Sequence, residues 1–271
     1  MSQPYELTAS DEQLIKLMER GEKIASFPAD SRKYIELVTG ILFQFADSEM
    51  SGAAGYTRFI NLGPTIDDRR ALATIAAEKM SMVQSTYKLL RELGLNMDKY
   101  FSSHCWEARI QRKATLGFRR AASDRRLNAL MYPLESWADV AVFTYLMASM
   151  ACLQLEEFAG SSFLPWSDLV GEFLVLEKNH AKFGQSQMEK IVTQEGDSQA
   201  AQLSVDYWFE RVLTSFGPAQ SINNELYRRF KLKTKQNETL AKDWQNGVVA
   251  TCDSLGLQIA AAGVHNATAC H

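Results

Sequence analysis

VGEFLVLEKNHAKFGQSQM, residues 170–188, is the stretch from which the rest of the chain can be read. Glu177 and His180 stand three residues apart, so on a helix a carboxylate and an imidazole share one face, one turn apart. Val170, Phe173, Ala181 and Gly184 recur on the same face at three- and four-residue spacing, an apolar stripe. A carboxylate on a core-facing stripe needs a cation or hydrogen bonds, because burying it alone is costly. A Glu-x-x-His pair presented inward is also the recurrent half-site of helical bundles that hold metal between carboxylates. The motif is short, and taken alone a surface pair or a satisfied core histidine is its commoner meaning.

Around this stretch the chain reads as helix throughout. Its 271 residues carry ample apolar content (46%) and ordinary charge (23%), as globular domains do. Net charge is −3 and the pI about 5.9, which gives no basic footprint for nucleic acid or an anionic membrane. The opening MSQPYELTASDEQL lacks a basic segment followed by an apolar one, so no secretory signal is expected. No apolar run approaches the roughly 18 residues of a membrane span. Cys105, Cys152, Cys252 and Cys270 form no CxxC and read as reduced thiols of a cytoplasmic protein.

Pro4, Pro28, Pro64, Pro133, Pro165 and Pro218 all fall between helical patterns. Ser10 opens a capping box that starts a first helix over about 11–25. A second helix spans about 31–60, with Leu42, Phe45, Glu49, Ala53 and Tyr56 on one face. Asn61–Pro64 make a turn, and Asp67 and Asp68 suit the start of a third helix that ends at Gly94. The third helix presents Ala71, Ile75, Glu78, Met82, Ser85 and Leu89. Residues 95–135 read as an irregular connection with solvated charges, although a connection this long often contributes to a pocket or partner surface. Helices follow at about 137–159, 167–193, 197–214, 219–231 and 237–254. The expected fold is all-α, in one domain over 1–271, with an ordered core at 10–255 and a tail at 256–271.

Helix geometry then brings particular residues together. Glu49 lies 14 residues before Gly63, and Glu78 lies 14 residues after Pro64. Both carboxylates are thus about 21 Å from the turn and face each other. Two acids at matched depth repel unless they share a cation or a proton. The fold-back near Phe163 puts Glu177 opposite Met147–Met150, where no carboxylate stands. Glu49, Glu78, Glu177 and His180 therefore reach one core level. A complete two-metal pattern needs an acid from each of two helices and Glu-x-x-His from each of two others. Here the second motif reads Glu78-Lys79-Met80-Ser81, with serine in place of histidine.

From about Phe45 to Leu257 the sequence resembles the phenylacetic acid catabolic proteins, the ferritin-like alpha and structural subunits of the phenylacetyl-CoA ring epoxidase. The resemblance is carried by ADSEM around Glu49, AAEKMS around Glu78 and NALMYPLESWADVAVF at 128–143. LEKNHAKFGQ at 176–185, DYWFERVLTSFGPAQS at 206–221 and RRFKLKTKQNETL ending at Leu240 add to it. It implies a ferritin-like four-helix bundle with additional C-terminal helices. It also implies a di-iron oxygenase component acting on an aromatic or acyl-CoA substrate, an electron-donating reductase, and a paralogous ferritin-like subunit in an oligomer. Carried over residue by residue, Glu49, Glu78, Glu177 and His180 match metal-ligand and catalytic positions. Ser81 departs from a ligand histidine, Ala148 stands where the family has an acid, and Thr74 where the catalytic subunit has a lysine.

Two main readings follow, beside a metal-binding role with unrelated chemistry. In the first, the chain is an oxygenase component with an altered, incomplete site in which three carboxylates and one imidazole hold one metal ion, iron or manganese. In the second it is a non-catalytic structural subunit without metal, motivated by Ser81, Ala148 and the arginines of 107–126. Its acids would then be protonated or paired internally with Lys79 or His180. Other residues read blandly: His104, beside Cys105 and Trp106, as a loop position, and His265, Cys270 and His271 as chance in a tail. Met80, Met82, Met147 and Met150 read as core filling. Trp137, Trp166 and Trp208 read as anchors at helix ends whose indole N–H groups find partners.

Overall fold

The computed structural model describes residues 6–119, 124–194 and 196–259. Among them nine α-helices form and no strand does: α1 (Ala9–Glu19), α2 (Arg32–Thr57), α3 (Ile66–Arg91), α4 (Met97–Ser102), α5 (Trp137–Ala159), α6 (Leu164–Thr193), α7 (Ser198–Leu213), α8 (Ile222–Arg229) and α9 (Asn237–Ser254). The architecture is the expected all-α, ferritin-like bundle, with α2 and α3 as one antiparallel pair, α5 and α6 as the other, and additional helices after them.

Local chemistry sets the helix boundaries. α3 starts at a capping box, in which Thr65 Oγ1 accepts from Asp68 N at 3.1 Å and Thr65 N donates to Asp68 Oδ2 at 3.2 Å. After α3, Gly94 takes φ +73°, the left-handed conformation that ends helices at little cost to glycine. The capping box of α1 belongs to Thr8 and Asp11 rather than Ser10, so this helix begins and ends earlier than expected. Pro165 lies in the first turn of α6, where its missing N–H would have no helical partner anyway.

Two apolar clusters show how the pairs are joined. Tyr56 and Leu72, near the α2–α3 turn, share one cluster with Ala138 and Val140 at the start of α5. Tyr34, at the start of α2, and Leu90, at the end of α3, share the other with Phe163 of the α5–α6 turn. The connection after α3 must therefore run the length of the bundle before α5 begins, the long crossover of ferritin-like topology. It holds α4 and a 3₁₀ turn at Asn128–Met131.

The α5–α6 turn is tied down from both chain directions. Ile24 N donates to Ser162 O at 2.7 Å, and Leu164 N to Ile24 O at 2.9 Å, a single parallel bridge. Ser162 N donates to Lys231 O at 2.8 Å, and Ser162 Oγ to Phe230 O at 2.7 Å. α5 is long and apolar enough to cross a membrane, contrary to the sequence expectation, but 72% of its most apolar window is buried in the bundle. It is the core helix of the fold.

Several expectations are corrected in detail. Trp208 Nε1 donates to Asp139 Oδ1 at 2.9 Å, as an anchor should. Trp137 and Trp166 bury indole nitrogens without partners. Met82 and Met150 fill the core, whereas Met80 is 38% exposed. His104 lies in a loop, stacked 4.9 Å from Trp106. Residues 256–259 of the expected tail are described; 260–271, with His265, Cys270 and His271, lie outside the described residues.

Helices α5 and α6 approach closely at Gly184, where an added Cβ would meet Tyr145 N at 2.3 Å and Tyr145 Cα at 2.8 Å. These are backbone atoms of a buried helix and cannot step aside cheaply. Gly184→Ala is expected to lower stability by about 3 kcal/mol in urea unfolding. Gly171→Ala, on the same helix with open space around it, should be stabilising by roughly 0.5–1 kcal/mol. Equal effects of the two substitutions would refute the close approach.

Candidate functional site

Three helices converge on a buried ammonium. Lys79 of α3 donates from Nζ to Glu49 Oε2 of α2 at 2.7 Å and to Glu177 Oε1 of α6 at 2.8 Å. All three residues are buried: Lys79 is 8% exposed, Glu49 7% and Glu177 1%. Of the four residues expected at a metal, the structure thus brings Glu49 and Glu177 together across Lys79. His180 is also buried and sits beside them, its Nδ1 3.3 Å from Glu177 Oε1, off the line of a hydrogen bond.

Glu78 does not face Glu49 as the turn geometry suggested. Its side chain is 32% exposed and accepts from His180 Nε2 at 2.7 Å. A carboxylate can only accept here, which assigns the proton to Nε2. The reason for the difference is rotation. From Leu72 to Thr86 the buried positions of α3 are Leu72, Ile75, Ala76, Lys79, Met82, Val83 and Thr86, so the core stripe is centred one residue away from Glu78. At about 100° per residue this turns Lys79 inward and leaves Glu78 at the rim. The spacing of those apolar residues was the signal that could have placed Lys79 first.

Electrostatics follow from one cation shared by two acids. Burial would raise Glu177, but the Lys79 charge and the neighbouring His180 overcome it and hold Glu177 at about 2. Glu49 goes the other way. Burial raises it, Lys79 offsets only part of that, and Glu177 repels it. Burial disfavours the Lys79 charge, yet the two carboxylates raise its pKa above the usual lysine range. Burial, then Glu177, push the nearby Cys152 thiol up to about 12, so it offers no thiolate. Tyr56, whose hydroxyl accepts from Thr144 Oγ1 at 3.1 Å, is pushed up to about 12 by burial.

This constellation does not fit a di-iron group. The ammonium takes the position between Glu49 and Glu177 that a bridging metal would need. Ser81 is exposed and donates to Ala77 O at 3.1 Å, away from the core. Ala148 is buried and offers only a methyl. Among the described residues no group of three or more His, Cys, Asp or Glu side chains could hold a metal ion.

A cavity of about 370 Å³ reaches this network. One wall comes from α2 and α5 through Phe45, Phe143 and Met147, and another from the long connection through Phe118, Leu127 and Leu130. That connection thus contributes to a pocket, and it is also structural. Arg126 is 6% exposed and donates to Ala108 O at 3.0 Å, and Arg112 Nη1 donates to Asp139 Oδ2 at 2.7 Å. Arg120 lies outside the described residues. Lys233, also on the cavity wall, had no periodic signal in the sequence.

A family model described as phenylacetic acid catabolic protein matches residues 18–268 of this chain. No curated protein matches it.

Lys79→Met would leave two buried carboxylates without their cation, and is expected to destabilise the fold by about 3–5 kcal/mol in urea unfolding. The acid side of stability should also respond. Glu177 titrates at about 2 in the fold against an ordinary 4.5, so the unfolded chain takes up this proton first. Its contribution is complete above about pH 4.5 and disappears as pH falls toward about 2. Urea midpoints of the wild type should therefore drop more steeply over that range than those of Lys79→Met/Glu177→Gln. Equal slopes would exclude a buried, ionised Glu177.

Proposed function

The chain belongs to the phenylacetic acid catabolic protein family, whose work is phenylacetate catabolism, and on that premise we propose that it is a structural subunit without a metal of its own, which scaffolds a paralogous, catalytic ferritin-like subunit. The observation that carries this reading is the Lys79 ammonium bound between Glu49 and Glu177. A cation built into the chain does for these carboxylates what a metal would do, neutralising buried negative charge at matched depth. It cannot polarise oxygen or change oxidation state. Ser81 and Ala148 support the same reading, because each replaces a donor with a group that cannot take its place. The chain's own residues then hold helices in register and carry no chemistry.

The alternative is an oxygenase component with an altered site, served by a reductase and acting on an aromatic or acyl-CoA substrate. The cavity favours it, since Glu49, Glu177 and His180 all line the same space. It requires Lys79 to leave both carboxylates and a metal to replace it.

Elemental analysis of untagged protein, after iron and manganese supplementation, separates the two. The expected result is background metal in the wild type and in Glu49→Ala/Glu177→Ala alike, with a stable complex when a paralogous family member is co-expressed. Stoichiometric iron or manganese in the wild type, lost in the double variant, would overturn the proposal.

A further inference from the structure

A second buried lysine lines the same cavity, and its situation is the opposite of that of Lys79. Lys233 is 5% exposed. Its ammonium donates to Gln154 Oε1 and lies 5.0 Å from the centroid of the Phe158 ring. The acid that influences it is Glu157, and that carboxylate is already engaged. Glu157 Oε2 accepts from Thr234 N at 2.7 Å, Thr234 Oγ1 at 2.8 Å and Lys235 N at 2.8 Å. Lys233 therefore faces the cavity with one neutral acceptor and an aromatic ring for company. Burial pulls its pKa from 10.5 down to about 8.

A buried ammonium whose neighbouring carboxylate is engaged by other donors is costly, and an anion arriving beside it recovers part of that cost. We infer that this cavity is a binding site for a small organic acid, its carboxylate on Lys233 and its apolar body directed toward the Lys79 bridge. The ammonium has three N–H groups and spends one on Gln154, which leaves two for a carboxylate. The walls beyond it are Leu155, Phe158, Met147, Phe143 and Phe45, which suit an aromatic or aliphatic body. The Lys79 ammonium is already shared by Glu49 and Glu177, whereas Lys233 donates to a neutral oxygen, so a carboxylate head group is attracted to Lys233.

A volume of about 370 Å³ lies within the range of small-molecule pockets. The inference goes beyond the subunit reading and does not depend on it, because Lys233 and the Lys79 bridge are separate groups on the wall of the same space.

The test is calorimetric titration of chelator-treated protein with sodium benzoate, with benzyl alcohol as the neutral probe of similar shape and sodium phosphate as the inorganic anion. Benzoate is expected to bind at least tenfold more tightly than either. Lys233→Met should reduce benzoate affinity at least tenfold. If that variant fails to fold, Ala151→Phe fills the cavity, leaves Lys233 in place and should cause the same loss. Equal binding of benzoate and benzyl alcohol, no benzoate binding, or benzoate affinity unchanged in a folded variant would each overturn the inference. Metal loading of the wild type would overturn the subunit reading and leave this result standing.

Discussion

One ammonium, on Lys79, joins α2, α3 and α6 at the centre of the bundle. Its partners come from both antiparallel pairs, so the ion triad fixes how deep each pair sits against the other. Without a cation the two buried carboxylates would repel. Such a network adds little to stability compared with well-packed apolar groups, but it strongly penalises any arrangement that leaves one member alone. The triad therefore favours one register of the helices over its neighbours. His180 extends it to the surface by donating to Glu78.

Packing around the triad is of two kinds. α5 and α6 meet closely, with Gly184 against the Tyr145 backbone, and their turn is anchored by Ser162 and Tyr34. On the other side the helices do not close, and the long connection and the segment around Lys233 finish the wall of a cavity. A space that is filled by neither side chains nor a shared charge is where the fold leaves room for another molecule. The same cavity has two lysines with opposite fates: Lys79 is surrounded by acid and Lys233 is not.

Much of the fold was legible before any coordinates. The turns at Gly63–Pro64 and near Phe163 and the bounds of α5 and α9 were readable, because they rest on local geometry; of the prolines expected between helices, Pro165 instead stands in the first turn of α6, and Pro4 lies outside the described residues. The grouping of Glu49, Glu177 and His180 at one level was readable too, from distance along a helix. The placement of Glu78 was not. Deciding between Glu78 and Lys79 depends on a rotation of one residue, and both positions fit an amphipathic pattern loosely. Lys79 was foreseen as an internal partner in only one of the two readings. Lys233 sits after the left-handed residue Lys231, φ +52°, and no periodicity marks a residue delivered by a turn.

By itself, then, the sequence determined an all-α bundle, its helix pairs and the depth at which the acids lie, which follow from 1.5 Å per residue, from capping and from the spacing of apolar side chains; its family was legible separately, in the blocks of sequence that resemble the phenylacetic acid catabolic proteins. Only the tertiary structure decided which cation those acids share and which lysine donates to a neutral amide instead of a carboxylate. Both depend on side chains from segments far apart in the chain, Lys79 with Glu177 and Lys233 with Gln154. Compensation of buried charge is settled by three-dimensional proximity, which spacing along one helix does not encode.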